Sequence, residues 1–238
     1  GGFYSDQAQN RLLNGPANLT LDKQGSVWVA NTYIPEPPGD TACAGNPMSR
    51  FTPSGAVYPG SPYFGGGVSG AGYGITFDPD NNLWQANFGF QDPPCASTPE
   101  AATSDSVSLF SPNGTALSPS TGYTSGDISW PQGVVSDHLG NIFVANCGND
   151  SITEIPRGDT DRAFNIKLKG ASQTPDDPQV KPFGIALDLS GNAWITDNFN
   201  NTVSIISPAG HLISTLPGTY LGKKVLTHPV GNAADSKG

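Results

Sequence analysis

Four polar residues stand at one place in a repeated pattern. Asn31, Asn87, Asn146 and Asp197 close the runs Val-Trp-Val-Ala-Asn, Leu-Trp-Gln-Ala-Asn, Ile-Phe-Val-Ala-Asn and Ala-Trp-Ile-Thr-Asp. Amides and carboxylates in such positions either meet a ligand or cap strand ends by bonding neighbouring backbone, and the sequence leaves both open. Aromatic residues that could line the same site are Tyr33, Tyr73, Phe88 and Phe183, and His228 is the one histidine placed with them. His138 and His211 fall in other turns. General acid–base chemistry wants a histidine with a partner or a pair of carboxylates. A single histidine supplies no such cluster, and the chain holds no Gly-x-Ser-x-Gly, no His-Glu-x-x-His and no glycine-rich phosphate loop. We therefore expect no catalytic residue, no metal and no cofactor. Asp78-Pro-Asp-Asn-Asn82 has the look of a calcium loop but lacks the downstream acidic ligand, and reads as a turn.

The three cysteines belong to the same side. Cys43 and Cys95 fall in equivalent long segments, Thr32 to Pro47 and Phe88 to Asp105, and Cys147 follows Asn146 directly. One bridge is expected, Cys43–Cys95, with Cys95–Cys147 as the competitor. A bridge implies an oxidising compartment, so the chain is expected to be secreted, periplasmic or on a cell surface. Segments of that length without periodicity are uncommon unless functional or disordered.

What must position these residues is a repeat. Asp22, Asp78, Asp137, Asp188 and Asp235 each open an Asp-x-x-Gly/Asn segment, 56, 59, 51 and 47 residues apart. Before each lies a short apolar run behind Pro or Gly-Pro, read as strand A because proline, which cannot donate to a ladder, suits the first residue of a strand. The Asp segment is a tight turn whose carboxylate accepts backbone N–H bonds while Gly or Asn takes the left-handed conformation. Strand B follows near 26–31, 82–87, 141–146 and 192–197, apolar on both faces and hence covered on both. Strand C, as in Ser106-Val-Ser-Leu-Phe110, ends in Pro53-Ser-Gly55, Pro112-Asn-Gly114 or Pro208-Ala-Gly210 turns. The remainder leaves room for a strand D. The expected fold is all-β: a β-propeller of four-stranded antiparallel blades at about 15–71, 72–130, 131–181 and 182–228, with the start of a fifth repeat at 229–238. We read one domain. In that topology the B–C and D–A connections share a side, which would carry the four strand-end residues, the aromatic set, His228 and the cysteines, with His138 and His211 on the opposite side.

The stretch from Pro182 to Val203, Pro-x-Gly-Ile-x-x-Asp-x-x-Gly-Asn-x-Trp-Ile-Thr-Asp-x-x-Asn-Asn-x-Val, resembles the NHL repeat. With its Ser-Pro-x-Gly ending it is similar to streptogramin (virginiamycin B) lyase-like repeats of secreted bacterial proteins. The resemblance implies a six-bladed propeller of which this chain would be a fragment; a closed four-bladed ring is the alternative. It also implies two functions: a non-catalytic binding or scaffold module, or a metal-dependent lyase whose catalytic residues lie on blades absent here. Metal-dependent hydrolases of the gluconolactonase type place ligands one residue past the strand-A proline. The matching positions here are Ala17, Tyr73, Gln132, Phe183 and Val230, none of them a carboxylate.

Charge narrows the partners. With 11 basic and 20 acidic residues the net charge is −9, which repels a phosphate backbone, so nucleic acid is not expected. No apolar stretch is long enough for a membrane helix. The expected partner is a protein, peptide or glycan, with self-association through incomplete propeller edges as a further route.

Overall fold

A computed structural model describes residues 12–13, 15–32, 48–68, 72–88, 105–168 and 181–235. No α-helix occurs among them. The chain divides into two compact units, 1–124 and 125–238.

The first unit holds two antiparallel sheets. One runs β1 (Pro16–Leu21), β2 (Val27–Asn31), β3 (Met48–Phe51); the other runs β4 (Gly72–Phe77), β5 (Leu83–Asn87), β6 (Ser106–Phe110). Three strands stand where four were expected. Single bridges, Met48 to Tyr63 and Phe51 to Val57 in the first sheet and Val107 to Tyr123 and Phe110 to Ala116 in the second, take the place of an outer strand. Proline and glycine at Pro59, Gly60, Pro62 and Pro119 interrupt these outer segments, which accounts for the lost ladder. The two sheets pack face to face over Trp28, Ala30, Met48, Tyr63, Ile75, Leu83 and Phe110. Tyr63 stacks on Trp28 at 4.9 Å between centroids.

The second unit holds two four-stranded sheets. They are β7 (Pro131–Ser136), β8 (Ile142–Asn146), β9 (Ser151–Ile155), β10 (Phe164–Lys167), and β11 (Pro182–Leu187), β12 (Ala193–Asp197), β13 (Thr202–Ile206), β14 (Leu212–Leu216). Phe143, Ala145, Ile152, Ile185, Ala193, Ile195 and Ile206 form the core between them. Close backbone approach requires glycine here: a Cβ at Gly133 would stand 2.7 Å from the Phe183 carbonyl oxygen. At Gly184, one repeat on, a Cβ would stand 2.6 Å from the Val230 carbonyl oxygen. The chain after Pro229 thus lies on β11 as β11 lies on β7, the place of a fifth strand A. A two-residue-per-strand hairpin, β15 (Thr219–Tyr220) and β16 (Lys223–Lys224), precedes it.

The same turn joins the first two strands of every sheet. The backbone N–H of Gly25, Asn81, Gly140 and Gly191 donates to the carbonyl of Asp22, Asp78, Asp137 and Asp188, with φ between +65° and +85° at all four. Each aspartate then uses both carboxylate oxygens. Asp188 Oδ1 accepts from the backbone of Ser190 and Asn192, and Oδ2 from Asn192 Nδ2 and the Trp194 indole, each at 2.9 Å. Asp78 and Asp22 likewise receive the indoles of Trp84 at 3.1 Å and Trp28 at 3.0 Å. The spacing Asp-x5-Trp is therefore a structural bond between turn and strand B. Burial alone would raise the Asp188 carboxyl, but the Trp194, Asn192 and Ser190 bonds outweigh it and hold it below the usual carboxylate range.

Candidate functional site

The strand-end residues are built into their own sheets. In the first unit Asn31 Nδ2 donates to Ser49 Oγ and the Leu12 carbonyl, both at 3.2 Å. Asn87 Nδ2 donates to Ser106 Oγ at 2.9 Å and Ser108 Oγ at 2.8 Å. In the second unit Asn146 Nδ2 donates to Ser151 Oγ at 3.2 Å and Thr153 Oγ1 at 2.8 Å, while its Oδ1 accepts from Ser129 N. Asp197, the carboxylate of the set, only accepts: Oδ1 takes the backbone N–H of Lys181, Phe199 and Asn200, and Oδ2 the Thr202 hydroxyl. All four are at most 1% exposed. An amide tying strand B to strand C hydroxyls, or a carboxylate gathering a tight turn, is a cap with its hydrogen-bonding capacity directed inward.

The aromatic set is more accessible. Tyr73, Phe88 and Phe183 are half-buried, and burial pushes the Tyr73 phenol up. His228 is exposed, its N–H donating to Asn201 Oδ1 at 2.7 Å and its Nδ1 lying 3.1 Å from the Asn198 carbonyl. Tyr33, Cys43 and Cys95 lie outside the described residues, and with them the Cys43–Cys95 bridge. Cys147 is a half-buried free thiol; burial pushes it up, against the nearby Lys181 ammonium. Lys181 Nζ donates to the Cys147 carbonyl at 3.1 Å and stands 3.8 Å from Asp150 Oδ1. Among the described residues no group of three or more His, Cys, Asp or Glu is arranged to hold a metal ion. No described helix is long and apolar enough to cross a membrane.

One surface was not foreseen from the sequence. Around the β12–β13 turn and the β15–β16 hairpin, Phe199, Tyr220, Leu221 and Val225 are all more than half exposed. The segments are stitched together: Val225 N and Leu226 N both donate to the Gly218 carbonyl, and His228 grips Asn198 and Asn201 of the turn. The signal was present as Leu221-Gly222 between two short runs, a two-residue hairpin turn. It was hidden because residues 217–228 read as the unpatterned remainder of a repeat.

No protein-family model and no characterised protein matches the sequence. Solved structures do match in fold. A streptogramin B lyase aligns with a TM-score of 0.55 and 16% identity, covering 90% of this chain and 57% of that one. The fold is that of a β-propeller. A catalytically inactive virginiamycin B lyase from Staphylococcus aureus with quinupristin aligns with a TM-score of 0.56 and 15% identity, over 93% of this chain and 75% of the lyase. A nidogen/laminin complex gives a TM-score of 0.58 and 16% identity over 96% of this chain and 72% of that one. The chain spans little more than half the length of the first of these.

Proposed function

We propose that this propeller is an extracytoplasmic binding or scaffold module whose partner, a protein, peptide or glycan, meets the side carrying the B–C and D–A connections. One observation carries the reading. The polar residues that recur in every repeat are committed to turns and strand ends, whereas the side chains left exposed near the β12–β13 turn are aromatic and aliphatic. Exposed apolar patches on a rigid scaffold mark interaction sites. Asn31, Asn87, Asn146 and Asp197 then shape the rim from beneath, and Tyr73, Phe88, Phe183 and His228, with Tyr33, supply contact. A Cys43–Cys95 bridge would brace the two long loops; mass mapping of unreduced peptides tests it, and alkylation of all three thiols without reductant would refute it and weaken the extracytoplasmic assignment. Self-association through sheet edges is a secondary route, read by sedimentation.

The lyase neighbours favour a second reading, a metal-dependent lyase completed by repeats outside this chain. Peptide and glycan arrays probed with the purified chain, beside a quinupristin ring-opening assay with divalent metal followed by mass spectrometry, separate the two. The binding reading expects selective retention that Phe199→Ser weakens, and no ring opening. Metal-dependent ring opening would overturn it.

A further inference from the structure

The tip of the β15–β16 hairpin spends conformational energy without returning packing. Its two turn residues, Leu221 at φ +51° and Gly222 at φ +74°, form the kind of turn that Asn, Asp or Gly occupies without strain. Leucine has no local reason to be there. Its side chain is 84% exposed, beside Tyr220 at 69%, and a Cβ on Gly222 would meet nothing within 4 Å, so the tip stands clear of the unit that carries it. A strained backbone holding an exposed apolar residue points to use rather than to stability.

Charge says what the tip meets. Lys223 and Lys224 follow immediately, both exposed, and neither has an ion-pair partner among the described residues. They are 2 of only 11 basic residues in a chain of net charge −9. In a chain of net negative charge, this edge presents two adjacent exposed ammonium groups. The hairpin is otherwise firm, held at Gly218 and at Asn198 and Asn201, so little ordering is lost when it is engaged.

We propose that the Tyr220–Lys224 hairpin is a docking element for a short acidic peptide segment bearing aliphatic side chains, its apolar residues packing on Tyr220, Leu221 and Val225 and its carboxylates pairing with Lys223 and Lys224. This rests on the binding reading above and narrows it to one partner class. The two lysines supply the sign of the selectivity and the encounter rate, and the leucine the contact that forms only on binding.

The test uses fluorescence anisotropy of the whole chain with a fluorescein-labelled peptide of alternating Glu and Leu, a Lys/Leu peptide of the same length as control. The expected result is saturable binding of the acidic peptide alone, weakened at least tenfold by the Lys223→Glu, Lys224→Glu pair and by rising salt. Leu221→Gly relieves the turn, so it should keep or raise the melting temperature while also weakening binding at least tenfold. A structural role for Leu221 would move the two together. Equal binding of both peptides, or full binding by Leu221→Gly, overturns the proposal, as does adsorption to vesicles of 30% phosphatidylserine in phosphatidylcholine without peptide binding. Array retention of neutral or basic ligands insensitive to Leu221→Gly would sink this inference and leave the binding reading standing; quinupristin ring opening would sink the binding reading itself.

Discussion

The first and third sheets put opposite charges at the same register position. In the first, Arg50 stands across from Trp28; in the third, Glu154 stands across from Phe143. Arg50 completes its sheet. Its guanidinium reaches Asp22 Oδ2 at 2.5 Å, lies 3.5 Å from the Tyr58 ring centroid and 4.6 Å from that of Trp28, and donates to the Pro112 carbonyl of the neighbouring sheet. Burial alone would raise the Asp22 carboxyl, yet the Trp28 and Ser26 bonds and the Arg50 charge outweigh it and hold it low. In the third sheet Phe143 brings no indole to Asp137, and Glu154 brings a second carboxyl to its neighbourhood. Glu154 is 5% exposed, its Oε2 has no partner, and burial with the Asp137 charge pushes its pKa up to about 7. One backbone position thus hosts a buried ion pair in one repeat and, in another, an unpaired carboxyl whose affinity for its proton is raised. The repeat fixes geometry, and the fold tolerates a large local difference in how well that geometry is used.

Arg50→Met should have the largest effect. It leaves the Asp22 carboxylate buried without its cation, and urea denaturation should show a loss of about 3–5 kcal/mol, with Asp22→Asn in the same chain recovering part of it. A loss within the scatter of exposed-site substitutions would show that the pair is not buried in solution.

Glu154→Gln should give the next largest effect, and it is pH-dependent. The folded carboxyl titrates near 7 against 4.5 when unfolded, so the native state binds the extra proton between those values. Stability is unaffected by this group below about pH 4.5, falls as pH rises towards 7 and levels above it, by up to about 3 kcal/mol for a shift of that size. The glutamine variant should be flat across that window and more stable than the parent at pH 8. An unchanged pH profile would place Glu154 in contact with solvent.

A third substitution should have a smaller effect. Trp194→Phe gives the fourth sheet the aromatic of the third, removing the 2.9 Å indole bond to Asp188 while Asn192 still serves that oxygen. The expected loss is about 1 kcal/mol. A loss above about 4 kcal/mol would mean that the indole packing, not the bond, dominates.

Much of this was legible beforehand, because a repeat states each constraint several times over. The turns appear where Asp-x-x-Gly/Asn predicted, with positive φ at the fourth residue, and the second strands begin one residue inside the expected limits, at Val27, Leu83, Ile142 and Ala193. Outer strands were less legible. Among the described residues only β10 and β14 form as ladders, because the equivalent segments of the first two sheets carry prolines and pair through single bridges. The strand-end amides were found by pattern, but pattern does not say which way a side chain faces; their serine and threonine partners on strand C, at Ser49, Ser108 and Thr153, show it only once the strands are paired. The Leu221 hairpin escaped because it occurs once. Periodicity reveals what a fold repeats, and this hairpin stands outside the repeat.

In the proposed division of roles the repeated residues hold the sheets and the exposed hairpin meets the partner. Urea midpoint and acidic-peptide affinity, measured side by side for Trp194→Phe and Leu221→Gly, separate the two roles. The first variant should show a lowered midpoint with parental affinity, and the second a parental or higher midpoint with affinity reduced at least tenfold. Folded Trp194→Phe chain that no longer binds, or Leu221→Gly chain that binds as the parent does, would contradict this division of roles.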